Sequence, residues 1–178
     1  PNPLNFLFEL KRANCGGGLI YIEVPCFDWI CRNKAWYDVF YEHVNYFRLR
    51  DFQQMFGNIH ASGYSFGGQY LYVIADLESV RVPSFIFRER VEFPFDFGKL
   101  AFFEIGPALP SVIWGASSKG TIYSLLRKRF DLPVSCAIDL NPNKVGCFLP
   151  GSGVPIISFR ESLEQFDEGT SVLMMNPN

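Results

Sequence analysis

Hydrophobic residues recur at helical spacing over residues 5–13, where Phe6, Leu7 and Leu10 share a face, and the run Cys15-Gly16-Gly17-Gly18 stops the helix. Residues 19–22, Leu-Ile-Tyr-Ile, read as a buried strand that ends in Glu23-Val24-Pro25. An aromatic loop follows, through Trp29, Trp36 and Tyr37 to Tyr46 and Phe47. Residues 49–56 return to helical spacing and close at Gly57, the position of a C-cap glycine. Phe66-Gly67-Gly68-Gln69 reads as a tight turn, with glycines free to take positive φ, feeding a strand over 69–76.

The pattern breaks over 78–99, where Arg81, Pro83, Arg88, Glu89, Arg90 and Pro94 cut the apolar pieces short. The expected division is therefore 1–80 and 81–178, with a helix near 95–103 that Gly98 weakens. The second part alternates regularly. Strand 111–114 enters a glycine turn, helix 121–130 is closed by Pro133, and strand 134–138 runs into the turn Asp139-Leu140-Asn141-Pro142-Asn143-Lys144. A second turn at Leu149-Pro150-Gly151-Ser152-Gly153 leads to strand 155–157, helix 161–166 and strand 171–175. Alternating β and α elements with short connections predict an α/β fold with a mostly parallel sheet.

Composition narrows the class. A chain of 178 residues that is 48% hydrophobic and 19% charged can bury a core. A net charge of −2 gives no electrostatic footprint for nucleic acid. No apolar run approaches the roughly 18 residues of a membrane span. Five cysteines at irregular spacings, without a Cys-x-x-Cys pair, make neither a disulfide framework nor a metal site; they predict reduced thiols and a cytoplasmic setting. The chain starts without Met and stops as a strand ends, so it reads as a piece of a longer protein. Oligomeric state is not legible from the sequence.

Two places carry candidate chemistry. In Trp114-Gly115-Ala116-Ser117-Ser118-Lys119-Gly120 a strand meets a glycine-bounded turn that opens a helix, an order that offers backbone N–H groups to an anion. Gly115 and Gly120 permit close approach, Ser117 and Ser118 bring hydroxyls, and Lys119 adds a cation; the bland alternative is an ordinary turn with a solvated lysine. The pattern is G-x-x-x-x-G, not G-x-G-x-x-G, so a standard dinucleotide site does not follow. Asp139, at the end of the next strand, either holds a ribose hydroxyl or caps its own turn. Lys144 reads as a solvated lysine, and His60 as a surface-loop residue.

The second place is Tyr41-Glu42-His43. A histidine among aromatics with a carboxylate alongside is a candidate general base, against the plainer reading of a buried, hydrogen-bonded histidine. Glu23 is either a site carboxylate or a strand-end residue, and Cys26 and Cys31 read as packing residues.

Taken in order, these strings resemble the sugar C-methyltransferases that act on nucleotide-linked keto-deoxysugars. The resemblance rests on Leu19-Ile-Tyr-Ile-Glu23-Val-Pro25, on Trp36-Tyr-Asp38-Val-Phe-Tyr-Glu42-His43-Val-Asn-Tyr46-Phe47, on Gly67-Gly68 before a strand, and on Trp114-Gly-Ala-Ser-Ser-Lys119-Gly120, Asp139-Leu-Asn-Pro142-Asn-Lys144 and Leu149-Pro150-Gly151. It covers nearly the whole chain. It implies the last strands of a class I methyltransferase sheet in 1–80 and a Rossmann-like parallel-sheet domain in 81–178. It also implies a reaction in which a base removes the proton beside a sugar ketone and the enolate takes the methyl of S-adenosyl-L-methionine. By motif position His43 is the base, Glu42 orients or charges it, and Tyr41 belongs to the cluster. Phe40 and Tyr41 depart from the family's Tyr-His at those two positions.

A nucleotide-sugar substrate at Gly115, Ser117, Ser118, Lys119, Gly120 and Asp139 is the expected partner. The methyl donor is expected to be held mainly by a missing N-terminal half, since nothing in 1–80 supplies a glycine-rich loop paired with an acidic strand end. Alone, the chain is expected to be inactive. The alternative is a non-catalytic or redox Rossmann-type nucleotide-binding module.

Overall fold

The hydrophobic alternation of residues 70–76 is satisfied in full: Leu71, Val73 and Ala75 are each 0% exposed and form the floor of the first core. In this computed structural model, which describes residues 2–15, 17–40, 42–84, 94, 97, 111–132 and 134–175, the protein is mixed α/β with one antiparallel and one parallel sheet. The chain divides into two compact units, Pro1–Ala35 with Tyr41–Pro94, and Trp36–Phe40 with Phe95–Asn178. The expected helix over 95–103 and the residues Tyr41 and Pro133 lie outside the described residues.

In the first unit, α1 (Pro3–Ala13) starts where Asn2 accepts the N–H groups of Leu4 and Asn5, with Pro3 at its first position. Strand β1 (Leu19–Pro25) follows, then α2 (Phe27–Arg32), a 3-10 turn at Trp36–Asp38, and α3 (Leu49–Met55). Strands β2 (Ile59–Ser65) and β3 (Tyr70–Asp76) complete a sheet of order β1-β3-β2, both neighbours antiparallel to the central strand. Leu7 of α1 and Phe52 and Met55 of α3 close the core over β3.

Three expectations need correction here. The aromatic loop is partly helical, because Phe27 and Ile30 of α2 share one buried face. Gly57 is not a C-cap: Phe56 holds that place in extended conformation, and the Gly57 N–H donates to Ser79 O at 2.9 Å. His60 lies on β2, not in a loop, at the point where the register slips between Ile59 and Ala61. Its polar sequence, Ile-His-Ala-Ser-Gly-Tyr-Ser, lacks the hydrophobic run that marks a strand, and pairing to β3 decides the matter. Gly67 and Gly68 do take positive φ, at 65° and 95°.

In the second unit, β4 (Ser111–Trp114) runs through a turn into α4 (Ser118–Arg129), then β5 (Val134–Ile138), β6 (Ile156–Ile157), α5 (Phe159–Gln165) and β7 (Val172–Met174). The sheet is parallel, of order β6-β5-β4-β7. Val112, Ile113 and Ala137 are 0% exposed at its centre, as a parallel sheet requires. Helix α4 begins three residues before its expected start at 121, so Lys119 and Gly120 belong to its first turn. Among the described residues no helix is long and apolar enough to cross a membrane.

Candidate functional site

The connection after β4 sits where the second sheet changes direction. From β4 the chain passes through α4 to β5 and β6 on one side, and returns through α5 to β7 on the other. The carboxyl end of β4 is thus the switch point, where open α/β sheets leave a crevice for ligands. Gly115 turns the chain there with φ 111°. Its N–H donates to Ile138 O at 2.8 Å, which keeps the turn against the end of β5. Ser117 is the N-cap of α4 without a side-chain cap bond; it and Ser118 are exposed.

Gly120 does something other than approach a ligand. A Cβ there would lie 2.2 Å from the Gly115 carbonyl oxygen, so the bare Cα lets the first turn of α4 settle onto the β4 connection. That is the close helix–strand packing role of a glycine in such a unit.

Asp139 is taken up by the turn itself. Its Oδ2 accepts the Ala116 N–H at 2.9 Å and the Lys144 Nζ at 3.2 Å, and its Oδ1 accepts the Asn141 N–H at 2.9 Å. Lys144 Nζ also donates to Ala116 O at 2.9 Å, so one ion pair holds both the N–H and the C=O of Ala116. Burial pushes the Asp139 carboxyl up, but the Asn141 and Ala116 N–H groups and the Lys144 ammonium outweigh it and hold the group below the usual carboxylate range. Of the two readings of Asp139, the geometry draws the turn-capping one. Lys144, expected to be solvated, is a clamp; its placement five residues after Asp139, across an Asn-Pro-Asn turn, was the available signal.

Lys119 also points elsewhere than expected. Its Nζ stands 4.5 Å from the centroid of the Tyr37 ring, a cation–π contact. Tyr37 meets Trp36 edge to face at 5.5 Å, and Trp36 packs on Tyr123 of α4 at 6.2 Å. Burial, and then the Asp38 carboxylate, push the Tyr37 hydroxyl above its ordinary pKa.

Glu42 and His43 belong to the first unit, and both are exposed. This corrects the reading of a buried histidine: the residue is exposed, and its ring rests edge-on to Tyr46, centroids 6.3 Å apart. Tyr46 packs against Phe27 at 5.4 Å, Phe47 pairs with Cys26 as a bridge beyond the end of β1, and Phe27 N–H donates to Phe47 O at 2.9 Å. Arg48 Nε reaches Asp28 Oδ1 at 2.7 Å, and its backbone N–H donates to Asp51 Oδ2 at 2.7 Å. A cavity of about 510 Å³ opens beside this segment, walled by Phe27, Asn45, Tyr46, Arg48 and Met55. Glu23 lies at the far end of β1, its carboxylate accepting the Tyr21 hydroxyl and the Ser65 hydroxyl, the latter at 3.3 Å.

His60 Nε2 on β2 donates to Asp76 Oδ1 at 2.9 Å, and Asn58 Nδ2 donates to the other oxygen of the same carboxylate. Among the described residues no three His, Cys, Asp or Glu side chains converge as metal ligands. No family model matches the chain, and no curated protein matches it.

Proposed function

We propose that this chain is the C-terminal part of a cytoplasmic S-adenosyl-L-methionine-dependent C-methyltransferase whose substrate is a nucleotide-linked keto-deoxysugar. The observation that carries the reading is the first sheet. Its last strand in sequence, β3, lies antiparallel between β1 and β2. The resemblance implies the last strands of a class I methyltransferase sheet in this part of the chain, and a three-stranded sheet there supports the reading. β1 is an outer strand of this sheet, with Leu19 and Tyr21 64% and 57% exposed on one face and Ile20, Ile22 and Val24 lining a groove with Phe6 and Leu10 of α1 on the other. A strand without charges on its apolar positions, left at an edge, fits an interior place in a larger sheet.

In this reading His43, exposed and seated on Tyr46, removes the proton from the carbon beside the sugar ketone, with Glu42 next to it in sequence. The nucleotide sugar is held at the β4–α4 turn, where Ser117 and Ser118 stand exposed at the head of a helix and favour an anion. The described residues do not fit the methyl donor. The one glycine turn followed by an acidic strand end is in the second unit, and both oxygens of its Asp139 are engaged. The donor's site is therefore assigned to the rest of the enzyme. The same engagement weighs against a dinucleotide-binding module, which needs that carboxylate for a ribose. Five free thiols suit a reducing compartment.

A thermal-shift panel tests the substrate class. A thymidine-diphosphate keto-sugar raises the melting temperature, since binding stabilises the fold by about 2.7 kcal/mol at a hundredfold excess over Kd. A rise with NAD alone, or with S-adenosylmethionine alone, overturns the reading.

A further inference from the structure

We propose that the open face of the first sheet is a docking site for an arginine side chain of a partner polypeptide, received by Glu23 and the rings of Tyr21 and Tyr72. The strand register puts these groups together. Glu23 lies directly opposite Tyr72, and Tyr21 lies opposite Ile74, so these side chains rise from one face. Leu71, Val73 and Ala75 take the other face, in the core. Every residue of the site lies in the first unit. The Tyr21 and Tyr72 rings are 23° from parallel, with centroids 6.0 Å apart. Tyr72 leans across β2 over Gly63, where a Cβ would meet its hydroxyl at 2.7 Å and its ring carbons at 2.8 and 2.9 Å, so only glycine lets the ring settle there.

Glu23 is exposed and aimed by two donors. The Tyr21 hydroxyl donates to one of its oxygens, and the Ser65 hydroxyl donates to the other at 3.3 Å. A carboxylate accepts about four hydrogen bonds, so each oxygen keeps a lone pair for a further donor. The bond to Glu23 raises the Tyr21 hydroxyl above its ordinary pKa, which keeps it a donor at neutral pH. A fixed carboxylate beside tyrosine rings matches a guanidinium, which forks onto carboxylates and stacks on aromatic faces; an ammonium is a point charge without that fork.

Charge selects the occupant. The three strands, Leu19–Pro25, Ile59–Ser65 and Tyr70–Asp76, contain no lysine or arginine. Their only carboxylates are Glu23 and Asp76, and Asp76 is engaged by His60 and Asn58. A phosphate or carboxylate ligand therefore finds no lysine or arginine on these strands, whereas a cation finds one aimed carboxylate. The apolar surround points to a polypeptide as the source of that cation. Leu19 is 64% exposed, and Phe66, which meets the Tyr70 ring at 5.6 Å and 66°, is 75% exposed. Tyrosine and arginine are the residues that concentrate binding energy at protein interfaces.

NMR of the tyrosine rings tests the site, with the whole chain titrated by acetyl-Gly-Arg-Gly-amide and by its lysine and citrulline counterparts. The arginine peptide should shift the Tyr21 and Tyr72 ring resonances saturably and bind more tightly than the lysine peptide. The citrulline peptide, which keeps the shape without the charge, should give no saturable shift. Glu23→Gln should weaken arginine binding by about tenfold or more, the loss of a charge-assisted hydrogen bond, while Asp76→Asn leaves it unchanged. Tyr21 and Tyr72 rings that the arginine peptide does not move overturn the proposal. So do lysine or citrulline peptides that bind as tightly as arginine, and so does an Asp76→Asn variant that loses as much affinity as Glu23→Gln. The three-peptide comparison on the parent chain carries the test if Glu23→Gln does not fold.

Discussion

Replacing the hydrogen of Gly120 by a methyl group sets two effects against each other. Alanine is the better helix former by about 1 kcal/mol. Against that, the new Cβ would meet a backbone carbonyl oxygen at 2.2 Å, an atom that cannot swing aside as a side-chain tip can. Overpacking wins: Gly120→Ala should destabilise the second unit by about 1–3 kcal/mol in urea unfolding. Asp139 is the other residue on which the turn depends. Asp139→Ala leaves the Ala116 and Asn141 N–H groups and the Lys144 ammonium without their acceptor, at a cost of about 1–3 kcal/mol. The pH dependence follows from the sign of the shift. A carboxyl held below its unfolded value contributes stability that is fully present above about pH 4 and is lost as pH falls through the folded value. Acid should therefore lower the melting temperature of the second unit, and Asp139→Ala should flatten that part of the profile.

The elements divide by how strongly their own sequence speaks. Buried strands were legible: β1, β3, β4 and β5 are runs of β-branched and aromatic residues bounded by glycine, proline or charge, and each lies within about two residues of its expected place. Helix α2 was not, because its six residues are too few for periodicity to show, and β2 was hidden by polar residues that pair to β3 on an exposed edge. The early start of α4 was masked by Ser-Ser-Lys-Gly, residues that favour turns locally but serve as a first helical turn once Gly120 seats on Gly115. Helix α5 carries a readable cap. Ser158 Oγ accepts the Glu161 N–H at 3.2 Å, and the Glu161 carboxylate accepts the Ser158 N–H at 2.7 Å. Ser158→Ala should cost about 1 kcal/mol, measured as a shift in the urea midpoint at constant slope.

At the scale of the whole molecule, residues close in sequence turn out to serve different units. Trp36 and Tyr37 pack with α4, whereas Glu42 and His43 belong with the first sheet. No pattern of spacing announces such a division, since the aromatic run is unbroken across it. The candidate anion turn was legible from glycine and serine in strand–turn–helix order. The fates of Lys119 and Asp139 were not, because each depends on a partner distant in sequence or across a turn. The thiols offer a global check. Cys15 and Cys147 are exposed, while Cys26 and Cys136 are buried, and burial raises the Cys136 pKa to about 11. A thiol reagent at pH 8 should modify Cys15 and Cys147 first, and Cys136 only at the rate of unfolding; rapid native-state labelling of Cys136 would contradict the buried β5 described above.

The central claim is that His43 removes the proton that opens the way to methyl transfer. The measurement that meets it directly is transfer of a labelled methyl group from S-adenosylmethionine to a thymidine-diphosphate keto-deoxysugar, by the longer enzyme proposed above, with and without His43→Ala. Loss of a general base should lower the rate by about 10²–10⁴-fold while the variant keeps the parent's melting temperature. A His43→Ala enzyme that transfers methyl groups at the parent's rate would contradict the account.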